Sequence, residues 1–215
     1  MWAYIKDNKI EQIYQRPKSL VIGEVRYPSN MFTKYADAEK AAIGIYPVED
    51  SGTKGNDRFE NTSQATYTWS ASDKKVTTSY TITEKSLVDV EIKDESGNNI
   101  LDEKGNKTYN YGLKTQAKNK AKQQANGYIK QFNWLVERSI YDSSKAIPDA
   151  VKTYVAAIKT DCAEIETAID NASDMAAFKL LFTDTYKEVD GEQVVDVVAR
   201  ANRWSDDYDV QNYVR

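Results

Sequence analysis

Of the side chains that do chemistry, the 215-residue sequence offers carboxylates and one thiol, Cys162, but no imidazole at all. Without His there is no Ser-His-Asp triad, and the commonest general base and metal ligand are both missing. A thiol nucleophile needs a base to activate it, so Cys162 reads as a small buried hydrophobe rather than a reactive group. The single Cys also excludes a disulfide within the chain.

The carboxylates form no convincing pair. Asp206, Asp207 and Asp209 cluster around Tyr208. A glycosidase needs two carboxyl groups held roughly 5–10 Å apart across a cleft, which nearness in sequence does not supply. The turns at Asp94 and Asp102 superficially suggest Ca²⁺ loops. In both, Gly follows the Asp too soon and the closing Glu is missing, so hairpin turns are expected. The loop SGTKGND at 51–57 lacks the spacing of a phosphate-binding loop. GxSxG, HExxH and CxxC do not occur. The residues thus assign no catalytic group, no metal ligand and no cofactor, and the expectation is a protein that is not an enzyme.

The element that organises the chain is the stretch 148–170, PDAVKTYVAAIKTDCAEIETAID. Val151, Val155, Ile158, Cys162, Ile165 and Ile169 recur at alternating steps of four and three, which is a narrow heptad stripe. Pro148 and Asp149 suit a helix start. At 1.5 Å per residue the helix is about 34 Å long, and so narrow a stripe seeks a partner helix. The segment 112–140 supplies one: Ala121, Ala125, Tyr128, Phe132, Leu135 and Ser139 follow the same steps, with Ile129 and Val136 widening the face. Gly127 inside it costs about 1 kcal/mol against Ala unless something packs closely there.

A short connector at 141–147 makes the two helices an antiparallel αα-hairpin. Their charges agree. Residues 112–147 carry seven Lys/Arg against two Asp/Glu, and residues 148–215 carry seven against fourteen. Packing within the chain accounts for the stripe, and self-association into a trimer or ring remains open beside it.

Before the helices the chain reads as strands and turns. Apolar–polar alternation around a turn at 7–9 predicts a hairpin over 2–14, and 20–25, with Gly23 central, predicts another. Asn30 caps a short helical piece, and Asp37 opens a helix, DAEKAAIG, that Gly44 stops. Residues 45–48 are extended, and 49–57 are loop. TYTWS at 66–70, VTTSYTIT at 76–83 and LVDVEIK at 87–93 predict strands, and two Gly-Asn turns and a last short strand at 108–111 follow.

After the helices, Asp174 caps a third helix, MAAFKLLF, and VDGEQ at 189–193 is a turn. The run VVDVVARANRW at 194–204 is expected to be helical. No internal repeat or low-complexity tract is expected.

The fold class is therefore α+β: a small β-rich N-terminal half, then an antiparallel αα-hairpin and a mixed C-terminal tail. The expected divisions are 1–50 (a small α+β module), 51–111 (β-rich), 112–182 (helical hairpin with short third helix) and 183–215 (tail).

Fifteen Tyr and four Trp fit either extensive partner surface or simple strand preference. The formal net charge is −4 and the Lys-rich segment carries no stacking platform, so no nucleic-acid partner is expected. The opening MWAYIKDNKIEQ lacks the apolar core of a signal peptide. No run approaches the ~20 apolar residues of a membrane span. A soluble product with no membrane partner, made in the cytoplasm, is expected.

Two stretches resemble tail-associated proteins of tailed bacteriophages. In the first, 1–48, the matching positions are Trp2, Ile5, Pro28, Phe32 and the run Gly44, Ile45, Tyr46, Pro47, Val48. Asp7-Asn8 stands where the family has a turn Gly. In the second, 112–170, they are Asn133-Trp134, Arg138, Ile147-Pro148, Ala156-Ala157-Ile158 and Glu166, Ala168, Ile169. Together they cover somewhat over half the chain.

The resemblance implies a structural virion protein near the tail fibres or baseplate. Such a protein is present in several copies or as a homo-oligomer and binds other tail proteins. A tail-fibre assembly chaperone, absent from the mature particle, is the alternative, and a glycan or cell-wall hydrolase is a third class. The aromatics Trp2, Tyr46, Trp69, Tyr128, Trp134 and Trp204 are the expected interface anchors.

Overall fold

The computed structural model describes residues 1–206 and 208–214, without the side chains of Tyr208, Asp209 and Asn212. The fold is α+β, and the chain divides into two compact units, Met1–Glu84 and Lys85–Arg215.

In the first unit β1 (Trp2–Lys6) and β2 (Lys9–Tyr14) form the expected hairpin. Asp7 and Asn8 both take positive φ, +49° and +64°. That is the primed turn whose twist matches paired strands. β3 (Leu20–Ile22) and β4 (Val25–Tyr27) make the second hairpin around Gly23. Two short helices follow, α1 (Met31–Lys34) and α2 (Asp37–Ala42). The cap of α2 is Ala36 rather than Asp37. Its N–H donates to Glu39 Oε2 at 2.8 Å, while Asp37 lies inside the helix and pairs with Lys40.

Gly44 stops α2 at φ +79°, where an added Cβ would lie 2.5 Å from the Ile5 carbonyl oxygen. The chain then enters β5 (Ile45–Glu49). Strands β6 (Glu60–Thr62), β7 (Thr66–Ser70), β8 (Lys75–Ser79) and β9 (Ile82–Glu84) complete the unit. The run 76–83 is thus two strands, interrupted at Tyr80–Thr81.

The main sheet has the order β2-β1-β5-β8-β7. All neighbours are antiparallel except β5 and β8, which run parallel with Val48 beside Val76. Strands from the expected segments 1–50 and 51–111 therefore share one sheet. One face packs Tyr14, Leu20, Met31, Phe32 and Ile45 beneath Trp2 and Tyr4. The other buries Ala3, Ile5, Val48 and Val76 among side chains from β2, β5 and β7. The sheet curls until its two edge strands approach, so this face covers itself.

The second unit begins with β10 (Val90–Glu91) and β11 (Tyr109–Asn110). The strand expected over 87–93 shrinks to two residues. Contrary to the expectation of no repeat, residues 92–99 and 100–107 are two copies of one eight-residue unit, I-x-D-E-x-G-N-x. In each, the Asp carboxylate accepts backbone N–H groups two and four residues on, and the Gly takes positive φ. Three backbone bonds close a ring: Ile92 N–H to Thr108 O, Thr108 N–H to Ile100 O, Ile100 N–H to Ile92 O. No residue from 85 to 111 is buried, so hydrogen bonds rather than a core hold this segment.

The helices follow as α3 (Leu113–Lys130), α4 (Asn133–Tyr141) and α5 (Asp149–Asn171). The helix expected over 112–140 is broken at Gln131–Phe132. Asp89 anchors the start of α3, accepting from Gly112 N at 2.7 Å and Thr115 Oγ1 at 3.0 Å. α3 and α5 pack antiparallel, joined by Lys118–Asp170 at 2.8 Å and Lys122–Glu166 at 3.3 Å. The buried stripe of α5 is Val151, Tyr154, Ile158, Cys162, Ile165 and Ile169. Tyr154 takes the expected place of Val155, and its ring meets Phe132 edge-on at 5.8 Å.

Asp174 caps α6 (Met175–Leu180), accepting from Ala177 N at 2.8 Å as expected. The helix expected through 194–204 is not formed. Instead β12 (Thr185–Val189) and β13 (Glu192–Val197) pair across Asp190-Gly191, both at positive φ, and a 3-10 turn follows at Arg200–Asn202. The tail lies against α5: Arg200 Nη2 meets Glu164 Oε2 at 2.7 Å, and Ser205 N donates to Asp161 Oδ2 at 2.6 Å. Val210 is fully buried.

Candidate interaction surfaces

Cys162 sits in the α5 stripe, and its S–H donates to Glu166 Oε1 at 3.5 Å. Burial first, and then the neighbouring carboxylate, push the thiol pKa up. Its surroundings therefore hold it in the poorly nucleophilic protonated form.

Asp94 and Asp102 spend their oxygens on their own loops. Backbone N–H bonds from Asn98 and Asn106 hold both carboxyls below the usual carboxylate range. Asp50, at the start of the 51–57 loop, accepts from Thr78 Oγ1 at 2.7 Å and Tyr80 OH at 3.2 Å, and the Thr78 bond lowers its pKa most. Asp206 is exposed, whereas Asp207 and the side chains of Tyr208 and Asp209 lie outside the described residues. Among the described residues no group of three or more Cys, Asp or Glu is placed to hold a metal.

Five of the six expected anchor aromatics are half-buried in their own unit. Trp2 packs on Phe32 at 4.8 Å. Tyr46 and Trp69 pair at 4.5 Å, and Trp69 Nε1 donates to Asn8 Oδ1 at 2.8 Å. Trp204 packs against Tyr128 with ring centres 5.5 Å apart and the planes tilted by 52°, and Trp134 Nε1 donates to the Tyr213 carbonyl at 3.0 Å with Arg138 over its ring. Tyr128 is the exposed one, at 37%.

The most exposed large apolar side chains are others. Ile140 is 73% and Tyr141 90% exposed at the end of α4, and Val136 lies one turn before them. Val136 thus faces solvent instead of widening the buried stripe. Beside it, between α4 and α5, is a cleft of about 140 Å³ lined by Ile129, Phe132, Val136, Ile147, Val151 and Val155. A second patch is the β12–β13 hairpin, all of whose strand residues are exposed, Tyr186, Val194 and Val195 among them. A third is on the coreless segment, where Val88, Leu101 and Tyr111 are each more than half exposed. Isolated exposed hydrophobes are ordinary, but contiguous ones mark interaction sites.

The sequence signal for the first patch was present. Val136 and Ile140 continue at steps of four the line that starts at Phe132, while Phe132 and Leu135 are buried. What hid it was the helix break at Gln131–Phe132, which restarts the phase of the stripe.

No family model, curated protein or solved structure matches the chain.

Proposed function

We propose that this protein is a structural component of a bacteriophage tail, an adaptor or attachment piece near the fibres or baseplate that works by binding its neighbours and not by turnover. The observation that carries the binding half of this reading is the apolar corner of α4, where Val136, Ile140 and Tyr141 stand in water beside an apolar cleft. Side chains of that size are stabilised by about 1.5–3 kcal/mol each when fully covered. The tail context rests on the sequence likeness at 1–48 and 112–170. The chemistry agrees: the one thiol is protonated and the lowered carboxylates serve their own loops.

On this reading the protein resides in the virion in several copies, its partners are other tail proteins, and it takes no cofactor. No helix among the described residues is long and apolar enough to cross a membrane. Mass spectrometry of purified particles of the encoding phage tests the reading. The protein should be found there in fixed ratio to the fibre or baseplate proteins. Its absence from particles, together with a higher yield of soluble fibre on coexpression, would make it an assembly chaperone instead. Release of sugars or peptides from host envelope material, lost on Asp→Asn exchange, would make it an enzyme.

A further inference from the structure

The first unit holds a cleft of about 350 Å³ between α2 and strands β1 and β5. That falls in the size range of small-molecule sites, about 300–1,000 Å³.

The floor of the cleft is apolar. Trp2 and Pro47 stand directly opposite each other across the β1–β5 pair, so their side chains share one face of the sheet. Ile45, two residues before Pro47, lies on the same face and also lines the cleft. Trp2 is half-buried. Its indole N–H has no acceptor among the described residues, whereas those of Trp69 and Trp134 are bonded within the chain.

The walls are charged. Lys40 of α2 keeps its side chain only 13% exposed, with its ammonium 2.8 Å from Oδ1 of Asp37. Lys74, in the turn before β8, is exposed and makes no ion pair among the described residues. Two lysines thus line the cleft against one aspartate, and Lys40 already balances that aspartate. The cleft is rich in donors and carries a positive charge to spare.

This combination selects among ligands. No arginine lines the cleft to grip a phosphate by two parallel bonds. A simple organic acid would use Lys74 and the floor but gain nothing from the Asp37–Lys40 pair. A sugar ring carrying a carboxylate uses every part. Its C–H face lies on the indole, and one hydroxyl donates to Asp37 while its neighbour accepts from Lys40. The carboxylate pairs with Lys74.

We infer that this cleft binds an acidic sugar, a hexuronate ring stacked on Trp2 with its carboxylate at Lys74 and its hydroxyls on Asp37 and Lys40. The ring comes either as a free sugar or as part of an acidic polysaccharide. The inference does not depend on the tail-protein reading.

Nuclear magnetic resonance of the isotope-labelled full chain tests this, with the Trp2 indole N–H signal as reporter. Sodium glucuronate should move that signal saturably at millimolar concentration. Glucose should bind roughly tenfold more weakly, and sodium acetate should leave the signal in place. A hexuronate oligomer that binds more tightly than the monomer identifies a polysaccharide as the source, and equal affinity identifies the free sugar. Lys74 has φ +50°, which Asn tolerates. Lys74→Asn should therefore leave melting unchanged while erasing the preference for glucuronate over glucose. Asp37→Asn should weaken both sugars. A Trp2 signal indifferent to glucuronate, one moved equally by acetate, or a glucuronate preference that survives Lys74→Asn would overturn the inference.

Discussion

Trp69 on β7 donates its indole N–H to Oδ1 of Asn8 at 2.8 Å, and Asn8 sits in the turn that begins β2, at the opposite edge of the same five-stranded sheet. This bond ties the two edges together and fixes how far the sheet curls. Closing the edges also blunts their capacity to pair with other chains. Asn8→Gly keeps the left-handed turn conformation and removes only the acceptor. We expect a loss of about 1 kcal/mol in chemical denaturation, and faster amide exchange in β2 and β7 than in β1. Unchanged exchange at the edges would show that the curl is held by the apolar packing of Ile10, Ile13, Tyr67 and Trp69 instead.

Stability should be flat between about pH 5 and 8, because the chain has no His to titrate there. The acid limb has a structural cause. Asp94 and Asp102 have folded-state pKa values below the ordinary carboxylate range, through backbone N–H bonds from Asn98 and Asn106. A depressed folded pKa contributes stability that is present above the unfolded value and is lost as pH falls through the folded one. The amide resonances of Asn98 and Asn106 should therefore move together below about pH 4. In Asp94→Asn the Asn98 signal should lose that transition while the Asn106 signal keeps it.

Cys162 is shielded by its place in the α5 stripe, and burial and Glu166 raise its pKa. Labelling of the folded chain with iodoacetamide at pH 7 should be slower than that of the unfolded chain by a factor on the order of 100 or more. Labelling at the unfolded rate would place the thiol at the surface and reopen a role for it.

Ile140 and Tyr141 should be dispensable for folding and needed for binding. The double change Ile140→Ser/Tyr141→Ser removes side chains already in water, so melting should shift by no more than about 0.5 kcal/mol. Incorporation into particles, measured by quantitative mass spectrometry, should fall. A large loss of stability would instead mean that these side chains contribute to the monomer.

Several local signals in the chain translated directly into structure. The spacing from Val151 to Ile169 places α5. Asp174 caps α6, and Gly23, Gly44 and Asp190-Gly191 mark turns where φ is positive. Opposite charges in 112–147 and 148–215 agree with the antiparallel contacts of α3 and α5. The expected anchors were less informative. A Trp advertises contact area, but its sequence position does not say whether its own fold uses that area, and Trp2 and Trp69 are engaged within their unit.

By itself, then, the sequence determined α5, α6, the turns named above, the α+β class and the lack of any imidazole chemistry, because each depends on residues a few positions apart. The tertiary structure decided what depends on distant partners. The parallel pairing of β5 with β8 and the meeting of Trp69 with Asn8 join residues far apart in sequence. The run at 194–197 became a strand because the Asp190-Gly191 turn folds it onto Thr185–Val189, and the ladder hydrogen bonds outweigh a weak local helical pattern. The exposure of Ile140 and Tyr141 was likewise decided only when the helix broke at Gln131–Phe132 and left the end of α4 uncovered.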